Sequence, residues 1–284
     1  MKIYTVIGAT SDVGKIVAQQ LEDMGHTVRK VSRSLGISID DDDELLKAVS
    51  GTDGVYVMIP IDMQAPDLHK RENEIGEKLA KAIQTADVKR VVLLSSLIGL
   101  VDPDSVKTSA WGAYMMEEHL NKLDIKEFIS FRCAFFMENF LKGLGFREQA
   151  ENGSFVTAFR ADVAMPMISC RDIADKVVEA LTADTFPEVH VRELQGARDY
   201  TMTEATQILA AALGKPEVRY KQVPIEEAYK AMITAGVSSS FADAVMETAS
   251  SFNKGNSMTL EIRSPENTTK TTLEQWAKEQ FEER

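Results

Sequence analysis

Ile3-Tyr4-Thr5-Val6-Ile7-Gly8-Ala9-Thr10-Ser11-Asp12-Val13-Gly14 opens the chain with a β-rich apolar run that breaks at one glycine and resumes, six residues later, at another. Beyond it, Val13, Ile16, Val17 and Leu21 fall on one face of a helix. Strand, turn and helix in that order make a βα unit. Gly8 stands where the chain reverses, which favours a residue without Cβ, and Gly14 where the helix packs on the strand. The helix start offers unpaired N–H groups and the positive end of a dipole to a phosphate. Ser11 replaces the middle glycine of the dinucleotide fingerprint, and its small hydroxyl can donate to a phosphate oxygen. A tight βα turn in a protein that binds something else would use the same two glycines. The strand before and the helix after favour the binding reading.

The next strand, Thr27–Ser32, bears on which cofactor fits. An acid at its end would hold the ribose hydroxyls of NAD. Instead the chain reads Val31-Ser32-Arg33-Ser34, with Arg29 and Lys30 nearby, and the next acid is Asp40. A guanidinium at Arg33 suits a 2′-phosphate bidentately, which favours NADP(H); a solvated arginine at a strand end is the plainer alternative.

Outward from there, β-rich runs alternate with amphipathic ones. Expected elements are a short strand Ile37–Asp40, a helix from Asp43 to Ser50, a strand Gly54–Ile59 and a long helix over Lys70–Ala86. Arg90–Ser96 follows as a strand buried on both faces, then a helix near Ala110–Leu123 and a strand Glu127–Arg132. This order implies an α/β fold, a doubly wound parallel sheet with right-handed crossovers. Residues 1–150 are expected to form the dinucleotide-binding domain. Residues 151–284 are expected to form a smaller α+β substrate lobe, with part of 166–194 returning to the main sheet. Within the second half, Asp172–Thr182 reads as helix and Glu188–Leu194 as extended. Thr201-Met202-Thr203-Glu204 is a capping box, and Thr271-Thr272-Leu273-Glu274 opens a last helix in the same way. Ser238–Ser257 reads either as a helix pair or as a mobile flap.

Composition narrows the function classes. A net charge of −12 over 284 residues argues against direct nucleic-acid binding, which wants clustered Lys and Arg. Backbone N–H groups and one local cation still suffice for a phosphorylated cofactor. The two cysteines, Cys133 and Cys170, make no thiolate metal site, and a cytoplasmic setting is the natural expectation. Met1–Tyr4 runs into the first strand with no charged leader, and no run reaches the ~18 apolar residues of a membrane span. The four histidines show no paired spacing, so no metal is expected. Asp40-Asp41-Asp42-Asp43-Glu44 reads as a helix-capping run, and Glu117-Glu118-His119 as a solvated helix face.

At this point the residues resemble a known group, the NmrA-like family of atypical short-chain dehydrogenases/reductases. Gly8-Ala9-Thr10 with Gly14 is similar to its Gly-Ala-Thr opening, and Val92–Ser96 with Gly99 to its strand end. Phe131-Arg132-Cys133-Ala134-Phe135-Phe136-Met137-Glu138-Asn139 resembles its Arg-Pro-Gly-Phe-Phe-Met-Glu-Asn segment, with Cys133-Ala134 in place of Pro-Gly. Ile168–Ala174, with Arg171-Asp172-Ile173-Ala174, is similar to its helix start, and Thr201–Pro224 and Leu273–Trp276 extend the likeness. The resemblance implies a Rossmann sheet in the dinucleotide-binding order, with a pocket between it and the C-terminal lobe. It implies cofactor contacts at Gly8, Thr10, Ser11, Val13, Gly14, Arg33, Ile59, Pro60 and Ser95. It also implies a nicotinamide or substrate environment at Phe135, Phe136, Met137 and Asn139, residues for which core packing is the competing reading.

The same resemblance exposes a gap. Short-chain reductases use a Tyr and a Lys four residues later; here those positions are Ser109 and Ala113. Ser96 and Tyr114 are the remaining candidates to polarise an acceptor oxygen. Two functions are therefore expected. One is an NADPH-dependent oxidoreductase acting on a small quinone or carbonyl acceptor. The other is a non-catalytic NADP(H)-binding redox sensor that regulates a protein partner.

Overall fold

The computed structural model describes residues 1–97, 107–255 and 259–281. The first half alternates strand and helix: Ile3–Ile7 (β1), Asp12–Asp23 (α1), Thr27–Val31 (β2), Asp42–Val49 (α2) and Gly54–Val57 (β3). Leu68–Thr85 (α3), Arg90–Ser96 (β4), Trp111–Asn121 (α4) and Glu127–Cys133 (β5) complete it. The second half is mixed. It begins with Phe135–Phe136 (β6), Asn139–Lys142 (α5), Phe146–Ala150 (α6), Ser154–Thr157 (β7) and Met165–Ile168 (β8). Cys170–Thr182 (α7), Val191–Leu194 (β9), Asp199–Tyr200 (β10), Met202–Ala212 (α8) and Arg219–Gln222 (β11) follow. Among the described residues, Ile225–Thr234 (α9), Ser239–Asn253 (α10) and Leu273–Phe281 (α11) come last.

Six strands pair in parallel in the order β2-β1-β3-β4-β5-β9. Side-chain alternation splits the core in two. Tyr4, Val6, Val92 and Leu94 pack with Val17 and Leu21 of α1 and with Ile173 and Val177 of α7. Ile7, Val55, Val91 and Leu93 face Leu45, Leu79 and Met116 of α2, α3 and α4 on the other side. Each such side chain contributes roughly 1.5–3 kcal/mol when taken from water, so the apolar run of β4 belongs at mid-sheet. The order reverses between β1 and β3, which leaves a crevice above their carboxyl ends. No helix among the described residues is long and apolar enough to cross a membrane.

The expected strand Ile37–Asp40 does not form. Arg33–Leu35 is a short 3-10 turn, Gly36 takes φ +88°, and Ile37 folds back to a single antiparallel bridge with Ser32. The chain is therefore turned away before it can add to the sheet, and β2 is left as one of its two edge strands.

A third core belongs to the second half. Phe140, Phe146, Phe155, Met165, Leu209 and Trp276 are among its buried members. Of the segment 166–194, α7 packs in the first core and β9 pairs with β5. The box at Thr201 forms as the spacing predicts, with the Glu204 carboxylate accepting from Thr201 N and the Thr201 hydroxyl accepting from Glu204 N. The last helix begins one residue later than expected. Thr272 and Gln275 form its reciprocal caps, at 3.0 and 3.2 Å, because Thr271 is drawn away to donate to buried Asp172 at 2.6 Å.

Ser238–Ser257 is not a helix pair as far as it is described. It is chiefly the single 15-residue helix α10, capped by Ser238, while 256–257 lie outside the described residues. Ser238 N donates to Met63 O, and Leu68 N donates to Ser240 Oγ, both at 2.9 Å. Ser109 N donates to Thr248 Oγ1 at 3.0 Å. Leu68 and Ser109 stand where α3 and α4 begin, at the carboxyl edge of the sheet, so α10 roofs that edge.

Candidate functional site

The turn after β1 is built without room for substitution. Gly8 has φ +73°, and a Cβ there would stand 2.4 Å from Met58 Sδ. Ser11 caps α1 by accepting from Gly14 N at 3.0 Å, and its O–H remains able to donate. Gly8 N and Ala9 N donate to Val31 O, and Ser11 N donates to Gly8 O. The N–H groups of Thr10, Asp12 and Val13 meet no acceptor among the described residues. Three free donors at the start of a 12-residue helix suit a diphosphate. Val13 is buried, so its backbone rather than its side chain is on offer.

Next to this turn lies a short line of hydroxyls. Thr10 Oγ1 and Ser32 Oγ are 2.9 Å apart, and Ser32 Oγ and Ser34 Oγ 3.1 Å. Arg33 stands between Ser32 and Ser34 in the chain, exposed and with no hydrogen bond or ion pair of its side chain among the described residues. Its basic neighbours are committed elsewhere: Arg29 donates to Ala48 O and Ser50 O at the end of α2, and Lys30 pairs with Glu22. The acidic run is likewise committed. Asp41 caps α2, while Asp40 and Asp42 pair with Arg71 and Lys78.

At the far side of the crevice the candidate residues divide. Ile59 and Ser95 are buried and Pro60 is half-buried at the ends of β3 and β4. Ser95 is in register with Arg132, whose side chain turns to α4; alternation therefore gives Ser95 the α4 face and Ser96 the opposite one. Tyr114 sits on α4, so an acceptor must lie over the strand end to touch both Ser96 and Tyr114. Phe135 meets Phe140, Phe159 and Phe252 edge-on, with centroids 5.5–6.5 Å apart, whereas Phe136 packs against the first core. Met137 is fully buried in the third core and Asn139 opens α5 half-buried. Ser109, at the tyrosine position, is hydrogen-bonded to Thr248 of the roof helix at 2.9 Å. Burial pushes both thiols, Cys133 and Cys170, well up, which removes them as nucleophiles.

The expected solvated face of α4 is wrong at Glu117. Its carboxylate is 2% exposed, accepts from Arg132 Nη2 at 2.7 Å and Nε at 3.1 Å, and accepts from Ser130 Oγ at 2.7 Å. Burial works against the charge on Arg132, yet these bonds hold the guanidinium above its ordinary value. Glu117 lies beside Met116 and one turn before Leu120, inside the buried stripe, and the Arg132 cation together with the Ser130 hydroxyl makes that tolerable.

The NmrA-like family model matches residues 1–278. The chain belongs to the NmrA-like family. A relative, the NAD(P)H azoreductase of Xenophilus azovorans, is 30% identical over 205 residues, 70% of this chain and 65% of that protein. Among solved structures, the Citrobacter sp. triphenylmethane reductase complexed with NADP(H) matches with a TM-score of 0.73 and 18% identity, over 98% and 99% of the two chains. An Escherichia coli NADPH-dependent quinone oxidoreductase complexed with NADPH gives 0.71 and 20%, over 99% and 100%. At such identities these two show the fold.

Within this NmrA-like chain, one motif residue gains a structural role that the sequence reading left out. Glu138 accepts from Cys170 N with both oxygens at 3.1 Å and from Trp276 Nε1 at 3.1 Å. It thereby fastens the Phe135–Asn139 segment to α7 and α11. Its position in the Met-Glu-Asn part of the motif was the available signal. Gly99, at the end of the strand motif, lies outside the described residues.

Proposed function

We propose that this chain is an NADPH-dependent oxidoreductase that reduces a small, electron-poor acceptor, a quinone or carbonyl compound. The supporting observation is the pairing of three unpartnered N–H groups at Thr10, Asp12 and Val13 with the Arg33 guanidinium and its hydroxyl neighbours. The first set fits a diphosphate and the second a 2′-phosphate. NADPH, when bound, supplies hydride from its nicotinamide. The chain's own part is to hold the cofactor, orient the acceptor over the ends of β4 and β5, and exclude water beneath α10.

Ser109 and Ala113 bring no proton donor paired with a lysine. That favours an acceptor which takes hydride readily, and a quinone does so more easily than an unactivated carbonyl. The names of the relatives, which specify azo, triphenylmethane and quinone substrates, lean the same way.

The deciding experiment follows NADPH oxidation by the purified chain against a naphthoquinone, an azo dye and an aromatic aldehyde, beside a direct NADPH titration. Turnover fastest with the quinone is the expected outcome. Tight NADPH binding with no turnover on any acceptor would replace this reading by that of an NADP(H)-sensing regulator. No dinucleotide binding would remove both.

A further inference from the structure

Asp12 is the first residue of α1, the helix whose start is to meet the cofactor diphosphate. A carboxylate is a poor neighbour for that group. It sits on the residue whose own N–H is one of the three free donors, and it repels the diphosphate charge. Two ammonium groups converge on it: Lys15 Nζ lies 3.2 Å from Asp12 Oδ1, and Lys142 Nζ meets the same oxygen. Burial pushes the Asp12 carboxyl up, but hydrogen bonds from Lys142 and Lys15 outweigh that and hold it below its ordinary value.

The two lysines differ in origin. Lys15 is one turn further along α1. Lys142 ends α5, on the segment that follows Phe135–Asn139 and that Glu138 fastens to α7 and α11. Lys142 therefore reaches Asp12 from a segment whose Phe140 is buried in the third core. A cavity of about 640 Å³ opens beside the pair, lined by Lys15, Glu138, Cys170 and Arg171 among others. Arg171 is occupied by Glu279 at 3.1 and 3.3 Å, which leaves the two lysines as the cations at this rim that answer Asp12. The Lys142 side chain is 64% exposed and has room to turn between partners.

We propose that Lys142 is a cofactor-binding residue supplied by the end of α5, its ammonium shared between Asp12 and the NADP(H) diphosphate. This rests on the NADP(H) reading of the Gly8–Gly14 loop. Neutralising Asp12 makes the loop receptive to an anion. The shared ammonium also ties the Phe135–Lys142 segment to the loaded cofactor.

The test compares calorimetric affinities of the full chain for NADPH and for adenosine 2′-monophosphate, which lacks the diphosphate. Lys142→Ala is expected to weaken NADPH about tenfold, as for one partly exposed charge-assisted hydrogen bond. The same variant should leave the monophosphate within about twofold, and Asp12→Asn added to it should recover about threefold in NADPH affinity. Unchanged NADPH affinity in Lys142→Ala overturns the proposal, as does an equal loss for both ligands or no recovery in the double variant. If the unaltered chain binds no NADPH, the cofactor reading fails and this inference with it.

Discussion

The carbonyl oxygen of Gly8 lies 2.2 Å from where a Cβ on Gly14 would stand. That atom is main chain and cannot swing aside, so a side chain at Gly14 must prise the turn open. Gly14→Ala is expected to cost about 1–3 kcal/mol, as overpacking does. It should also weaken NADPH at least about tenfold, because the Asp12 and Val13 N–H groups are re-aimed. Urea unfolding and a cofactor titration measure the two effects; a stable variant with unchanged affinity would refute the geometry.

Arg33 is the free cation of its neighbourhood among the described residues, while Arg29 and Lys30 are engaged. Arg33→Ala is expected to weaken NADPH roughly 10- to 100-fold, the range for losing hydrogen bonds to a charged group. NADH, which lacks the 2′-phosphate, should change little. Equal losses for the two cofactors would remove the 2′-phosphate assignment.

Glu117 and Arg132 form a buried pair, and removing one partner leaves the other uncompensated. Glu117→Ala should destabilise the fold by about 3–5 kcal/mol, less whatever water reaches the 18%-exposed Arg132 side chain. Glu117→Gln keeps an acceptor and should cost less. Chemical denaturation of the two variants checks the order, and a harmless Glu117→Ala would contradict it.

Glu72 lies buried against the start of α4, whose own N-cap, Ala110, offers no side-chain acceptor. His69 Nδ1 is 3.2 Å from its carboxylate, and a Cβ on Gly112 would stand 2.6 Å from its carboxyl carbon. Burial raises the Glu72 carboxyl above its ordinary value, ahead of the hydrogen bonds from His69 and the Gly112 N–H that lower it. The folded state thus holds this proton more tightly than the unfolded one. Its stabilising contribution is full below the unfolded carboxyl value and is lost as pH rises through the folded one. Glu72→Gln, which imitates the protonated form, should match the unaltered chain in acid and exceed it towards neutrality. Urea midpoints across that range test the sign; a variant that loses ground as pH rises would reverse it.

Local determinants were legible because they sit side by side in the chain. The β1–Gly8–Gly14–α1 unit, the buried run of β4, the Thr201 box and the Asp41 cap each need only neighbours within one or two turns. The strand expected at Ile37–Asp40 failed for a local reason too, since the turn at Leu35-Gly36 folds Ile37 back onto Ser32. The Thr271 box slipped by one residue for a distant reason: Asp172, 99 positions earlier, claims the Thr271 hydroxyl.

The sequence by itself determined the doubly wound fold and the tight glycine turn from β1 into α1, since periodicity, glycine and charge order are properties of contiguous residues. Only the tertiary structure decided that Glu117 is buried on Arg132, that Glu138 anchors the aromatic segment, that α10 roofs the crevice, and that Lys142 meets Asp12. In each case a polar group is settled by a partner from another element. A buried charge or an unpaired N–H is costly until its partner arrives, and which partner arrives depends on how the three cores bring the elements together.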